Sequence, residues 1–394
     1  MGNTEDTKKG NETAEKNPAP AWSVAVNVCR LVLALTFIFS GFVKAIDPTG
    51  TQIKIGDYLE AWGLAQAVPE WLQMIASIGL SALEFTIGVC FLFAIRRRLV
   101  SKVTLVMMAF MTILTLWIAL TNPVSDCGCF GDAVKLTNWE TFIKNIVLLA
   151  CAIVVAARPL LMMRFISKSW QWIVLNITIL FICIFAVYNL KYLPVIDFRP
   201  YHIGADIRAG MEIPQDAEQP EFETTFILEK NGVRKEFTTE NYPDSTWTFI
   251  DSKTVQTKEG YVPPIHDLSM ELIPEGDDIT EEVLGREGYT ILLISPHLEE
   301  ADDTEFDEIN ELYELAVEKE LGFYCLTAST EKAIKRWRDV TGAEYPFCLT
   351  DETTLKTMIR SNPGVMLLKQ GVVAGKWSSN NIPTPDEMRE LIRR

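Results

Sequence analysis

The sequence predicts a membrane α-helical bundle of about five transmembrane helices, followed by an acidic soluble part that mixes β-strands with helices. Hydrophobic residues make up 48% of the 394 residues, yet the formal net charge is -16. The charge balance is +3 over residues 1–190 and -19 over residues 191–394, and the long apolar runs lie in the first half. An acidic soluble half repels phosphate groups, so we expect no nucleic-acid partner.

Five segments are long and apolar enough to cross a bilayer, which takes about 20 residues at a rise of about 1.5 Å each. Seven of the ten tryptophans fall within or near the ends of these segments, as is typical of indole rings at a membrane interface. The lipid bilayer is therefore the first expected partner. The expected spans are residues 22–46, 71–95, 99–120, 141–157 and 170–190.

These segments divide the chain into five regions. A polar tail over residues 1–21 is expected to be disordered, and residues 22–157 are expected to form a four-helix membrane domain. A fifth transmembrane helix is expected at residues 158–190, a β-strand segment at residues 191–260, and an α/β domain at residues 261–394.

The basic residues of the connections set the expected orientation. The connection after the second span contains Arg96, Arg97 and Arg98, whereas those after the first and third spans are acidic. Because basic loops stay in the cytoplasm, we place the N-terminus on the cytoplasmic side of an inner membrane and residues 191–394 outside, in the periplasm. No cleavage site follows the first span, so we expect it to remain as an uncleaved signal anchor.

Two charged residues, Arg30 and Glu84, lie inside the first two spans. A lone charge there costs at least about 2.5–3 kcal/mol. Counted from the cytoplasmic ends, their depths differ by only about 4–5 Å, so we expect them to pair. The pair is expected to be structural and to fix helix register, with a proton or quinone site as the alternative.

The segment Cys127-Gly128-Cys129 is the chemical motif of the first half. It lies in a connection expected outside the cytoplasm, where dithiols oxidise. One glycine between the sulfurs allows a small, strained and easily reduced ring, and Lys44, at the same membrane face, is expected to stabilise a thiolate. The alternatives are a metal-binding pair or two inert buried thiols; the three histidines lie outside the bundle, so we expect no metal site.

The run from Arg30 to Pro48, which includes Ser40-Gly41 and Lys44, resembles the DoxX-like family, and within it the branch of the methylamine-utilisation protein MauE. Glu84 and the stretch Asp126-Cys-Gly-Cys-Phe-Gly131 carry the rest of this resemblance, which covers residues 22–157. It implies a four-helix membrane core and a role in disulfide formation or maturation of an exported partner. The fifth span and the large outer domain depart from the family.

The soluble part begins with strand patterns. Alternating runs at Glu223–Glu229 and Val233–Thr238 flank Asn231-Gly232, a strong hairpin signal, and a third run covers Ser245–Gln256. After Pro264 the pattern changes to alternating strands and helices. The expected strands are 289–295, 322–327, 364–369 and 372–377, and the expected helices are 303–320, 330–341, 352–360 and 384–393.

This second part resembles thioredoxin-like folds, with Pro363 as their cis-proline. Where such folds carry Cys-x-x-Cys, this chain has Ser295-Pro-His297-Leu298, so we expect the domain to be redox-inactive and His297 to be a solvated loop residue. Cys325 and Cys348 are expected either to be buried singly or to form a disulfide between neighbouring elements.

Three functions fit these features. The first is a thiol–disulfide relay in which Cys127 and Cys129 exchange with an exported client or a quinone, while the outer domain grips the client. The second is a membrane-anchored assembly factor without enzymatic activity, in which the Cys-Gly-Cys loop is a structural staple. The third is a subunit of a respiratory or transport complex.

Overall fold

The computed structural model describes residues 20–124, 127–214, 216–217, 221–230, 233–238, 247–258, 260–302 and 304–393. The expected disordered tail therefore lies almost wholly outside the described residues, as do Asp126 and the Asn231-Gly232 turn. The chain divides into two compact units, Met1–Ile196 and Asp197–Arg394.

The first unit is a helical bundle. Among the described residues, five helices are long and apolar enough to cross a membrane, as the sequence predicts, so this is a multi-pass membrane protein. A sixth, shorter helix follows the first span and was not predicted. The helices are α1 (Pro20–Ile46), α2 (Pro48–Ala61), α3 (Glu70–Leu92), α4 (Arg97–Thr121), α5 (Asn138–Ala157) and α6 (Gln171–Tyr192).

Helices α1 and α3 pack unusually closely because glycines lie at their crossing. A Cβ atom at Gly88 would lie 2.5 Å from the backbone nitrogen of Ile38, and one at Gly41 would lie 2.7 Å from the carbonyl oxygen of Ser81. Small residues of this kind let helix backbones approach in membranes, where association depends on packing. The close crossing brings Glu84 on α3 level with Ser40 and Lys44 on α1.

The short helix α2 begins directly after α1. Asp47 caps it by accepting a hydrogen bond from the backbone N–H of Gly50 at 2.8 Å, and Pro48 occupies its first turn, where a missing N–H costs nothing. The hydroxyl of Ser77 on α3 donates to the carbonyl oxygen of Pro48 at 2.7 Å. These contacts hold α2 against the N-terminal half of α3.

The second unit contains two sheets. An antiparallel three-stranded sheet has the order β2-β1-β3, and a mixed six-stranded sheet has the order β4-β7-β6-β5-β8-β9. The strands are β1 (Glu221–Lys230), β2 (Val233–Thr238), β3 (Thr248–Lys258), β4 (Glu271–Ile273), β5 (Tyr289–Ile294), β6 (Gly322–Thr327), β7 (Phe347–Leu349), β8 (Gly364–Lys369) and β9 (Val372–Ser378). The helices are α7 (Ile207–Met211), α8 (Thr280–Gly285), α9 (Phe306–Glu318), α10 (Glu331–Thr341), α11 (Glu352–Met358) and α12 (Pro385–Arg393).

The larger sheet has the thioredoxin-like arrangement. Strands β5, β6 and β7 are parallel and are connected through α9 and α10, whereas β8 runs antiparallel to β5 and is followed by the hairpin strand β9. The Asn362–Pro363 peptide bond before β8 is cis, as the resemblance implies. The core between the sheet and its helices is apolar, with Leu293, Leu312 and Phe347 almost fully buried. The predicted fold class is confirmed.

Candidate thiol site

The candidate site is the loop that carries Cys127 and Cys129 between α4 and α5. Both cysteines are free, and their sulfur atoms lie 3.1 Å apart. Gly128 has a φ of +63°, a left-handed conformation that glycine adopts without strain. A side chain there would also meet Lys54, whose Cγ would lie 3.0 Å from the added Cβ. The glycine thus permits the turn that brings the two sulfurs together.

A buried polar cluster holds this loop to the bundle. The Lys44 ammonium donates to Glu84 Oε2 at 2.7 Å, to Ser40 Oγ at 2.8 Å and to the carbonyl oxygen of Cys129 at 2.9 Å. The Ser40 hydroxyl also lies 2.8 Å from Glu84 Oε2 and 2.7 Å from the Cys129 carbonyl oxygen. Lys44 and Glu84 are only 5% and 4% exposed, so each charge is compensated at contact distance inside the bundle.

The two cysteines differ in their surroundings. Cys127 is 8% exposed and packs against Ile118 and Val124. Its carbonyl oxygen accepts a hydrogen bond from the Tyr58 hydroxyl at 2.8 Å. Cys129 is partly exposed. Cys127 is therefore the more enclosed residue of the pair and Cys129 the more exposed one.

A second ammonium group approaches the loop from α5. Lys144 Nζ lies 4.2 Å from the centre of the Phe130 ring. This ring packs edge-on against Phe39 of α1, with 5.3 Å between the ring centres. A cation over an aromatic face is attracted by the ring quadrupole, so the residue after Cys129 is held from two helices.

The surroundings separate the acidities of the two thiols. The hydrogen bond between the two thiols lowers the pKa of Cys129 to about 6. Burial and the Glu84 charge raise this pKa, and the charges of Lys144 and Lys44 lower it. The same hydrogen bond, with burial, raises the pKa of Cys127 well above its usual value. Of the two thiols, Cys129 is therefore the one whose surroundings favour the thiolate form.

The expected pair of Arg30 and Glu84 is not formed, because Glu84 pairs with Lys44. The Arg30 guanidinium instead donates to Asn27 Oδ1 at 3.3 Å and to the carbonyl oxygens of Met163 and Leu92 at 2.7 and 3.5 Å. Leu92 is eight residues from Glu84, about 12 Å along the helix. The depth count failed because α1 and α3 are offset along their axes, which hydropathy does not reveal.

In the second unit, the segment after β5, where thioredoxin-like folds carry a dithiol, forms hydrogen bonds with the residue before the cis-proline. The Ser295 hydroxyl donates to Asn362 Oδ1 at 2.7 Å, and Asn362 Nδ2 donates to the carbonyl oxygen of His297 at 2.8 Å. The His297 side chain is 33% exposed, with Nε2 lying 3.0 Å from Glu352 Oε1, so it is paired rather than merely solvated. The sequence Ser295–Leu298 places no thiol there.

Of the two alternatives for Cys325 and Cys348, the structure has single burial, since both cysteines are free and buried. They lie on the neighbouring parallel strands β6 and β7, in a register that pairs Cys325 with Phe347 and Leu326 with Cys348. Paired residues share a face and successive residues alternate, so the two sulfurs lie on opposite faces of the sheet. Burial raises the pKa of Cys325 well above its usual value and that of Cys348 to about 12.

Sequence reasoning missed three residues around the thiol pair: Ser40, Tyr58 and Lys144. Lys144 could have been found, because a lysine within an apolar span is costly and therefore informative. Tyr58 could not have been found, because the sequence predicts no helix at α2.

Among the described residues, no group of three or more His, Cys, Asp or Glu side chains is placed to hold a metal ion. A quinone as a possible exchange partner of the cysteine pair stays a prediction.

The fold and the site define a multi-pass membrane protein with a close thiol pair at the end of its bundle and a thioredoxin-like domain that carries no dithiol at the usual position. Residues 22–158 match the family model of the methylamine utilisation protein MauE, and residues 222–259 match a domain of unknown function (DUF8463). A comparison with curated proteins finds no significant match.

Two solved structures are similar to part of the chain. One is a candidate protein disulfide isomerase from Bacteroides thetaiotaomicron, with 12% identity and a TM-score of 0.26; the similarity covers 32% of this chain and 87% of that one. The other is StoA from Bacillus subtilis, with 16% identity and a TM-score of 0.25; here the similarity covers 32% of this chain and 94% of that one.

Proposed function

We propose that this protein is a membrane thiol–disulfide exchanger that acts on exported proteins through Cys127 and Cys129. The observation that carries the proposal is the asymmetry of the pair. The sulfurs lie 3.1 Å apart, Cys129 is partly exposed with a pKa lowered to about 6 by the Cys127 hydrogen bond, and Cys127 is enclosed. A thiol that favours the thiolate form, beside one that favours the protonated form, is what an exchange reaction needs.

In the proposed reaction, the Cys129 thiolate attacks one sulfur of a client disulfide. A mixed disulfide between Cys129 and the client forms, and the other client sulfur leaves as a thiolate. Cys127 then loses its proton and attacks the Cys129 sulfur, which releases the second client thiolate and forms the Cys127–Cys129 disulfide. The client disulfide is reduced by two electrons and the pair is oxidised by two; the reverse sequence oxidises a client dithiol.

The proposal includes an orientation. The basic connections containing Arg96–Arg98 and Arg158 favour the cytoplasm, which puts the Cys127–Cys129 loop and residues 191–394 on the periplasmic side of the inner membrane. Reporter fusions test this directly. A fusion after Arg394 is expected to read as outside and one within the Arg96 connection as inside; a cytoplasmic reading after Arg394 would contradict the orientation.

We further propose that the thioredoxin-like domain binds the client without exchanging thiols. In support, the position after β5 holds Ser295 and His297 instead of cysteines. Cys325 and Cys348 are buried on opposite faces of the sheet. The domain would therefore present a client to chemistry carried out by the membrane unit.

Trapping of mixed disulfides tests the function. With Cys127→Ser, the accessible Cys129 keeps its attack but loses the partner that resolves the intermediate, so client proteins should accumulate in covalent, reductant-sensitive complexes. With Cys129→Ser, the enclosed Cys127 should trap far less. Cys183→Ser, which changes a cysteine of α6 away from the loop, is the matched control. Equal trapping by Cys127→Ser and Cys183→Ser would refute the exchange reaction.

The absence of a dithiol after β5 also favours the second hypothesis, a membrane-anchored assembly factor that only binds its client. The two functions differ in their need for sulfur. A Cys127→Ser/Cys129→Ser variant should lose all maturation of client proteins if the protein is an exchanger. Full maturation by this double variant would identify an assembly factor.

A further inference from the structure

Two ammonium groups lie near Cys129, and their charges are balanced differently. Lys44 Nζ lies 2.7 Å from a carboxylate oxygen of Glu84, so its positive charge is compensated at contact distance. Lys144 Nζ lies over the Phe130 ring. Within the part of the chain that the structure describes, no carboxylate forms an ion pair with Lys144.

An aromatic ring holds a cation without neutralising it. Phe130 follows Cys129 directly, and its ring is fixed by edge-on packing against Phe39. Lys144 is therefore held beside the thiol loop by an aromatic ring, with no ion-pair partner among the residues that the structure describes. The Lys44 ammonium, by contrast, donates its hydrogen bonds to Ser40, Glu84 and the backbone carbonyl of Cys129.

We propose that Lys144 is a positioning residue whose charge keeps Cys129 in the attacking form, whereas Lys44 and Glu84 serve chiefly to fix the loop. This inference rests on the proposed function, in which Cys129 makes the first attack. It assigns the stabilising charge to α5, a helix on which the sequence reasoning placed no functional residue.

The titratable and charged groups that act on Cys129 come from its own loop and from α1, α3 and α5. The largest lowering of its pKa comes from the hydrogen bond with Cys127. Of the charged groups, Lys144 lowers the pKa most strongly, Lys44 follows, and Glu84 raises it. Because Lys44 and Glu84 act in opposite directions, removing both together should change the thiol much less than removing Lys144 alone.

The test is the pH dependence of alkylation in the full-length, reduced protein, with iodoacetamide as the probe and peptide mass spectrometry as the readout for Cys129. In Lys144→Met, the midpoint of the rate profile should rise by about one unit or more, the usual effect of losing a cation close to an acid. Below the midpoint, the rate at a given pH should therefore fall about tenfold. Lys144→Arg keeps the charge and should restore the profile.

Two controls separate charge from folding. Lys191→Met removes a lysine that also lies over an aromatic ring, that of Tyr192 on α6, and should leave the profile unchanged. Lys44→Met/Glu84→Gln removes two opposite charges and should move the midpoint less than Lys144→Met does. Phe130→Leu keeps the Lys144 charge but removes the aromatic ring that holds it. An intermediate shift of the alkylation midpoint is therefore expected in this variant, even if Lys144→Met folds poorly.

A midpoint in Lys144→Met that equals the wild-type midpoint would overturn the inference, and so would a profile that Lys144→Arg fails to restore. Neither result depends on a client protein. If the midpoint moves as expected but Cys127→Ser traps no client, the electrostatic role stands and the proposed exchange function fails. If trapping succeeds while the midpoint does not move, the exchange function stands without Lys144.

Discussion

The buried pair of Lys44 and Glu84 allows a quantitative prediction. At the observed separation of 2.7 Å, two unit charges attract by about 6 kcal/mol with an effective dielectric constant of about 20. Most of this attraction offsets the cost of removing both charges from water. Replacing one partner leaves the other charge buried and uncompensated, which costs about 3–5 kcal/mol, whereas replacing both by neutral groups of similar size is close to neutral.

We therefore expect Lys44→Met and Glu84→Gln each to destabilise the bundle by about 3–5 kcal/mol, and the double variant to be more stable than either single variant. For a unit of this size, the single variants should lower the melting temperature by roughly 10 °C. The assay is thermal exposure of Cys90, which is 4% exposed in the bundle core, measured with a thiol-reactive dye and peptide mass spectrometry.

The matched control for this cycle is Glu70→Gln. It makes the same chemical change at an exposed position in the first turn of α3 and should alter stability by less than about 0.5 kcal/mol. If the effects of Lys44→Met and Glu84→Gln add in the double variant, the two side chains do not interact. The account of how the bundle holds the Cys129 carbonyl would then be wrong.

Two further predictions concern packing and thiol pairing. Gly41→Ala should destabilise the bundle by about 1–3 kcal/mol, because the added methyl overlaps α3 and overpacking costs about that much. In the control Gly79→Ala, the added methyl would meet no atom within 4 Å. This control should be neutral or slightly stabilising in the same thermal assay. Oxidation of the intact protein with diamide should leave Cys325 and Cys348 unlinked in peptide mass spectra, and a linked peptide would show that the register of β6 and β7 is different.

The membrane spans were predictable because a bilayer imposes a length and a composition that a sequence displays directly. Helix α2 was not predicted, since Thr51–Glu60 is a short stretch of mixed polarity without a clear helical period. It matters for the site because Tyr58 donates from α2 to the Cys127 carbonyl. Amphipathic helices that pack against other helices depend on tertiary contacts, and these are not local properties of the sequence.

The wrong pairing of Arg30 and the open question at Cys325 and Cys348 have a common physical origin. The expected contact of Arg30 with Glu84 required the axial offset of two helices, and the choice between a bridge and single burial at Cys325 and Cys348 required the register of two strands. A shift of one residue in a strand moves a side chain to the opposite face. Whether the sulfurs of Cys325 and Cys348 can meet therefore depends on the strand register, which the sequence alone does not give. The nearness of Lys44 to the cysteine loop needed only a common membrane face, and the Cys129 carbonyl indeed accepts from Lys44.

The central claim is that Cys127 and Cys129 form a redox pair, and differential alkylation across a series of glutathione potentials tests it most directly. The account predicts that the two cysteines change together from thiols to a disulfide in one two-electron transition, at a potential above that of structural disulfides because the ring is small. Cys90, buried in the bundle core, should remain a thiol throughout. Two free thiols at Cys127 and Cys129 at every oxidising potential would contradict the account.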